Sequence, residues 1–198
     1  HFYIQAQLIN SNDLWRRLQR RIECRLPQRW QRYIYQEQDP MRYDSRLLEI
    51  DRSVELRGYW QSERYFQAIA PLLRRELAFR ERPTGRNAVL AEEITGSESV
   101  SIHIRRGDYL GNSVHVVLSK SYYETAIARL LQVTPETHYY VFSDDIPWCR
   151  EHLVIPGPTT FVDHNWPEAD YEDLRLMSLC KHQIIANSSF SWWGAWLN

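Results

Sequence analysis

From Val100 onward, short apolar runs of strand character alternate with helix-spaced stripes, and this alternation limits the chain to few architectures. Val100, Ile102 and Ile104 alternate with Ser101, His103 and Arg105, which is the period of a half-buried strand. Ser121-x-x-Glu124 reads as a capping box ahead of a stripe formed by Tyr123, Ala126, Ile127, Leu130 and Leu131. Residues 139–142 predict a buried strand, 159–162 another, and 183–186 a third. Leu174, Met177 and Cys180 mark a helix between the last two, and 190–197 a final helix. Strand and helix in alternation predict an α/β fold: a parallel sheet with helices on both faces.

The first half is less periodic. Residues 12–26 predict a basic helix, with Leu14, Leu18 and Ile22 at four-residue spacing and Pro27 ending it. Residues 54–60 suit a short strand, and a helical stretch from Ser62 carries Tyr65, Phe66, Ile69, Leu72 and Leu73, interrupted near Pro71. Residues 83–99 read as a linker with a helical turn or two. The expected organisation is a mostly helical segment 1–95 and a sheet domain 96–198.

In open parallel sheets, ligands sit beyond the carboxyl ends of the strands. The polar clusters all fall at such ends: His103 to Asp108, Ser143-Asp144-Asp145, Asp163-His164-Asn165 and Asn187-Ser188-Ser189. They should converge on one rim. The last also precedes a helix, whose free N–H groups favour an anion.

Neighbouring strand residues point to opposite faces, so one of Arg105 and Arg106 can enter a cleft while the other supports the loop. Arginine suits a diphosphate because its planar fork donates two parallel hydrogen bonds and its charge persists. The competing reading is structural ion pairing, with Asp108 the nearest partner. Asp144-Asp145 fits a loop or helix cap, a substrate contact, or a metal site. His138, His152, His164 and His182 lack ligand spacing, as does His115. Trp193 and Trp196 read as core, whereas Ser188 and Ser189 read as ligand-facing.

Charge is near balance, at −1 over 198 residues, which indicates no nucleic-acid footprint. Arg16, Arg17, Arg20, Arg21, Arg25, Arg29 and Arg32 oppose only Glu23. That segment, 16–32, suits a solvated helix face, or contact with anionic lipid (peripheral on a membrane) or nucleotide. Cys24, Cys149 and Cys180 form neither a zinc pattern nor a disulfide framework, which fits a reducing, cytoplasmic setting. No apolar run reaches the roughly 18–20 residues that span a bilayer. Walker loops, G-x-S-x-G and G-x-G-x-x-G are absent, which disfavours P-loop, hydrolase and dinucleotide chemistry.

Three ordered blocks together carry a family resemblance, with a further similarity ahead of them. His103-Ile104-Arg105-Arg106-Gly107-Asp108-Tyr109 resembles the H-x-R-R-x-D motif of α-1,2- and α-1,6-fucosyltransferases. Residues 142–149 and 173–182, the latter running into 187–197, are similar to further blocks of the bacterial-type α-1,2-fucosyltransferases, glycosyltransferase family 11. Gly58-Tyr59-Trp60-Gln61-Ser62-Glu63 is similar to a block ahead of them.

The resemblance implies a two-lobed, GT-B-like, inverting enzyme with a Rossmann-like donor lobe and no metal or other cofactor. It would move fucose from GDP-fucose to a glycan acceptor, by expectation the 2-OH of galactose. Carried over, Arg105 would bind the β-phosphate and His103 the nucleotide, with Arg106 adding charge. Asp173 would accept from the guanine edge. Asn187, Ser188, Ser189 and Phe190 would line the diphosphate and ribose. Asp108 is the expected proton acceptor. The family's glycine-rich opening segment and its continuation past the tryptophan-rich helix have no counterpart here. The expectation is therefore a partial N-terminal, acceptor-side lobe and a shortened donor lobe. A catalytically inactive nucleotide-sugar-binding module and a carbohydrate-binding protein are the alternatives.

Overall fold

The structure, a computed structural model, describes residues 33–51, 54–111 and 116–198. The helix expected at 12–26, the arginine-rich segment 16–32, Cys24 and His115 lie outside them. The chain divides into two compact units, one ending at Ala78 and the other running from Phe79 to Asn198.

The first unit holds β1 (Tyr33–Gln36), β2 (Val54–Arg57) and α1 (Ala70–Glu76), with β1 and β2 paired in parallel. Among its described residues, from 33 on, strands and short helices are mixed. Short 3-10 turns at Glu63–Tyr65 and Gln67–Ile69 occupy the stretch expected to be one helix from Ser62. Pro71 lies in the first turn of α1, where its missing N–H has no intrahelical partner to lose, so it starts a helix instead of kinking one. The Glu37 carboxylate accepts from the backbone N–H groups of Tyr59 at 2.6 Å and Trp60 at 3.1 Å. Gly58 makes this approach possible, because a Cβ there would collide with the Glu37 side chain.

The second unit comprises α2 (Gly85–Gly96), β3 (Ser99–Ile104), α3 (Lys120–Leu131), β4 (His138–Ser143), α4 (Ile146–His152), β5 (Thr159–Phe161), α5 (Asp170–Leu179), β6 (His182–Ile184) and α6 (Ser189–Trp196). Its four strands are all parallel, in the order β5-β4-β3-β6. Ile102 stands opposite Val141 on one side and Ile184 on the other. The expected α/β fold is therefore observed.

The division at Phe79 falls ahead of the boundary expected near residue 95. The reason is packing that the linker-like composition of 83–99 conceals. That stretch forms a full helix, α2, whose Leu90 and Ile94 join the core with α5. Buried Arg175 on α5 ties in the chain ahead of α2. Its Nη1 donates to Glu81 O at 2.7 Å, and its guanidinium lies over the Phe79 ring at 4.5 Å.

Two apolar layers cover the sheet. On one face Val100, Ile102 and Ile104 pack with Tyr123 and Ile127 of α3 and Cys149 of α4. On the other, Tyr140 and Phe142 meet Leu90 and Ile94 of α2, Leu176 and Met177 of α5, and Phe190 of α6. β3 is consequently buried along its whole length, not half-buried. Its polar residues are accommodated by hydrogen bonds: Ser99 Oγ accepts from Lys181 N at 3.1 Å, and the Ser101 hydroxyl donates to the Gln183 side-chain oxygen. The α3 cap also differs from expectation. Ser119, not Ser121, is the N-cap, and its hydroxyl accepts from Tyr122 N.

Helices α5 and α6 approach closely at Gly194, where an added Cβ would lie 2.9 Å from Met177 Cε and 3.3 Å from Met177 Cβ. Gly194→Val should therefore lower unfolding free energy by about 1–3 kcal/mol through overpacking. Urea titration followed by tryptophan fluorescence measures this, and an unchanged midpoint would contradict the close packing.

Candidate active site at the carboxyl ends of the strands

The strand order fixes where a ligand belongs. From β3 the chain steps outward to β4 and then β5, and afterwards crosses back to place β6 on the opposite side of β3. The direction of winding thus reverses between β3 and β6, the position beyond whose carboxyl ends open parallel sheets bind their ligands. The β3 loop carries Arg105 to Asp108, and the β6 loop carries Asn187 and Ser188. Tyr109 OH bridges the two by donating to Asn187 O at 3.2 Å. The His103 and Phe190 rings also meet, with centroids 5.4 Å apart. Sequence reading placed these clusters on one rim but did not foresee the bridging Tyr109.

The β3 loop is shaped by a carboxylate from β4's end. Asp144 accepts from the backbone N–H of Arg106 at 2.9 Å and of Gly107 at 3.0 Å. It also lies 3.2 Å from Arg105 Nε. A Cβ on Gly107 would stand 2.8 Å from Asp144 Oδ2, so glycine there permits the clasp. Asp145 caps α4 by accepting from Trp148 N at 3.1 Å. Of the readings open for Asp144-Asp145, the structure displays the loop and cap. Among the described residues, no group of three or more His, Cys, Asp or Glu side chains is arranged to hold a metal ion.

Arg105 and Arg106 divide the two roles expected of them. The Arg106 guanidinium is held inside the loop, 3.1 Å from Asp145 and stacked 3.8 Å over Trp148. Arg106 is thus the more enclosed of the two arginines expected at the rim. Arg105 is more open. Its Nε bonds Asp108 Oδ1 at 2.8 Å, so the ion-pair reading also applies to it. These bonds use Nε, and the two terminal nitrogens of its fork are not the atoms that hold the loop. Asp108, the expected proton acceptor, is engaged by Arg105 and largely exposed.

His103 is buried, and its Nδ1 has no hydrogen-bond partner among the described residues. Burial, with nearby Arg105 second, pushes its pKa from 6.5 down to about 4, so the imidazole is neutral at pH 7. Ser188 is the N-cap of α6, yet its side chain bonds none of the first-turn N–H groups. Ser189 is exposed at the start of the same helix, and Asn187 is exposed just ahead of it. Trp196 is core, as expected, whereas Trp193 is only partly buried.

Asp173 stands within the first turn of α5, not ahead of the helix, and is no N-cap. Its Oδ1 accepts from Asn165 Nδ2 at 2.7 Å. Burial first, and then Asp170 and Glu172, raise its pKa to about 6 against the lowering effect of Asn165. Asn87, on α2, joins this group. Sequence reading missed it because 83–99 carried no sign of a site.

A parallel sheet with helices on both faces and a reversal of winding between β3 and β6 is a Rossmann-like α/β architecture. Residues 17–198 match the profile of Glycosyl transferase family 11, and the chain belongs to that family. It is 40% identical over 156 residues to an alpha-1,2-colitosyltransferase of Escherichia coli, covering 73% of this chain and 51% of the relative. It is 46% identical over 108 residues to the O-antigen biosynthesis glycosyltransferase WbnK of the same species, covering 52% of this chain and 35% of the relative. The galactoside 2-alpha-L-fucosyltransferase Sec1 of Mus musculus is 26% identical over 154 residues, with 73% and 42% covered. The chain thus spans about half or less of the length of these relatives. No solved structure matches it.

The buried His103 carries a stability prediction. Its folded pKa lies below its unfolded value, so its contribution is fully present above pH 6.5 and is lost as pH falls toward 4. The loss should reach about 3 kcal/mol from this residue alone. Denaturant titrations between pH 7.5 and 4.5 should display it in wild type and show it diminished in His103→Phe. An equal slope in both proteins would refute the assignment.

Proposed function

We propose that this chain is the donor-binding part of an inverting glycosyltransferase that takes L-fucose, or a closely related 6-deoxy sugar, from its GDP conjugate and joins it to a glycan hydroxyl. The observation that carries the reading is the reversal of winding between β3 and β6, which brings the loop of Arg105 beside the start of α6, where Ser188 makes no side-chain cap bond. The names of the relatives support transfer to form α-1,2 linkages, with both colitosyl and fucosyl groups represented. The 2-OH of a terminal galactose is the acceptor proposed here. A GT-B-like pairing with an acceptor lobe, to which the N-terminal unit would contribute, completes the reading.

In the proposed reaction an acceptor oxygen attacks the anomeric carbon as the bond to GDP breaks. The electron pair of that bond leaves on the β-phosphate oxygen. Charge developing there needs fixed donors: the terminal nitrogens of Arg105, and the first-turn N–H groups of α6 beside Ser188 and Ser189. Phe190, in contact with His103, would form the wall beside the ribose, and neutral His103 can donate or accept without adding charge. Asp173 would receive the guanine N–H donors. Asp108 is retained as the proposed acceptor of the hydroxyl proton, and its bond to Arg105 would then couple proton removal to leaving-group stabilisation.

Arg106 acts indirectly in this scheme, by holding the loop through Asp145 and Trp148. No metal is invoked, since arginine and helix amides supply the positive charge. Location at the cytoplasmic face of a membrane, through contact by residues 16–32, is also part of the proposal. No helix among the described residues is long and apolar enough to cross a membrane.

A screen of GDP-fucose and its 3-deoxy analogue, GDP-colitose, against galactose-terminated acceptors tests the reading directly, with product linkage determined by NMR. Failure to consume either donor, or retention of anomeric configuration, would overturn it. Activity should survive excess EDTA; loss restored by Mn²⁺ would return Asp144-Asp145 to consideration as a metal site. Arg105→Lys keeps the charge but loses the fork, so kcat/KM should fall about tenfold to a thousandfold. Wild-type kinetics in a folded Arg105→Lys protein would remove Arg105 from the site.

A further inference from the structure

The carboxylate assigned to base recognition does not stand alone. Asn165, in the loop after β5, donates from Nδ2 to Asp173 Oδ1 at 2.7 Å and to Asn87 Oδ1 at 3.2 Å. Asn87, on α2, returns a bond from its Nδ2 to Asn165 Oδ1 at 2.8 Å. His164 Nε2 approaches Asn87 Oδ1 at 2.8 Å, while its Nδ1 is buried without a partner among the described residues. Three separate elements therefore meet in one closed amide arrangement, with Asp173 at one end and His164 at the other.

The arrangement has a single self-consistent polarity. An ionised carboxylate accepts only, so Asn165 must turn its amide nitrogen toward Asp173. Its oxygen then faces Asn87 and has to accept from Asn87 Nδ2. Asn87's oxygen is thereby turned toward His164, whose Nε2 must carry the proton. Every amide proton and oxygen in the pair is oriented by the charge on Asp173, and the pair in turn fixes the rotamer of that carboxylate. The Asn165 bond is made to Oδ1 of Asp173, which leaves Oδ2 for a ligand.

We propose that Asn87 and Asn165 are positioning residues for base selection, their paired amides holding the Asp173 carboxylate so that Oδ2 meets the adjacent N–H donors of a guanine ring. This rests on the reading of Asp173 as the guanine acceptor. Guanine offers neighbouring ring and exocyclic N–H groups to one carboxylate, and adenine does not. A carboxylate free to rotate would lose that discrimination even if it kept its charge.

The groups around Asp173 define what a pH experiment reports. Asp170 and Glu172 on its own helix oppose its charge, and Glu172 is itself 3.2 Å from Arg175. The loop after β5 and the helix α2 contribute Asn165, His164 and Asn87, with Arg86 and Arg150 neutralising Asp163 nearby. Helix α6, packed alongside, carries no titratable residue. Asn165 is thus the neighbour whose bond favours the charged form, and removing it should raise the pH at which Asp173 takes up a proton.

The test is calorimetric titration of GDP and ADP into wild type, Asp173→Asn, Asn165→Ala and Asn87→Ala between pH 5 and 8. The two nucleotides share a diphosphate, so its protonation cancels in the GDP:ADP affinity ratio. In wild type that ratio should fall as pH drops through about 6. Asp173→Asn should abolish the preference at every pH. Asn165→Ala should reduce the ratio at pH 7 at least threefold and move its midpoint upward, with Asn87→Ala changing both in the same direction and less. An unaltered ratio in Asp173→Asn would sink the guanine reading and the positioning role together. Collapse in Asp173→Asn with both ratio and midpoint unmoved in the asparagine variants would overturn the positioning role alone. A lowered melting temperature with an unmoved midpoint has the same meaning, since a merely structural amide leaves the titration where it is. If Asn165→Ala does not fold, Asn87→Ala decides by the same two readouts.

Discussion

The carboxylate of Asp144 reaches across from the end of β4 to take two successive backbone N–H groups of the β3 loop, and the geometry of the rim follows from that clasp. Hydrogen bonds to a charged acceptor contribute about 1.5–3 kcal/mol each. They fix the loop where the neighbouring side chains diverge. Arg106 turns inward against Asp145 and Trp148, while Arg105 stays partly open with its Nε tethered to Asp108 and Asp144. Without the clasp, two adjacent arginines would repel one another and sample many rotamers. With it, one guanidinium becomes part of the scaffold and the other stays more open at the carboxyl rim.

The same economy of position governs β3. Its apolar residues face α3 and α4, whereas Ser99, Ser101 and His103 face the layer that includes α2, α5 and α6. Small hydroxyl side chains let that layer come close, and Ser99 and Ser101 find partners in the chain around β6. At the carboxyl end of the strand this polar face delivers His103, where burial keeps the imidazole neutral beside Phe190. One strand therefore couples the interior to the carboxyl rim of the sheet.

Much of this was legible in the sequence because strand and helix periods are local properties. The stripe of Tyr123, Ile127 and Leu130 fell on one helix face, and the polar clusters fell at strand ends, as their spacing required. What escaped were features decided by distant partners. The β3 alternation mimics a half-buried strand because serine reads as solvent-facing, yet Lys181 and Gln183 satisfy those hydroxyls from 82 residues away. Residues 83–99 carry the composition of a linker, but Leu90 and Ile94 are retained by α5. Ser121 and Ser119 offer similar capping chemistry, and the chain's entry angle decides between them.

The reversal of winding between β3 and β6 explains why the site draws on residues so far apart in sequence. Because β6 pairs with β3 directly, residues 103–109 and 187–190 become neighbours across the crevice, and Tyr109 spans them. The crossing from β5 back to β6 runs through α5, so the first turn of that helix also lies at the carboxyl rim and carries Asp173 there. Helix α2 enters β3 from the opposite end of the sheet and therefore begins at this rim too, which is how Asn87 reaches Asn165. Each group proposed to meet the nucleotide is thus delivered by the start of a helix or the end of a strand. Such positions combine free backbone donors with a rigid base. A site assembled this way depends on the sheet order more than on any one loop, since changing that order would separate Arg105 from Asp173.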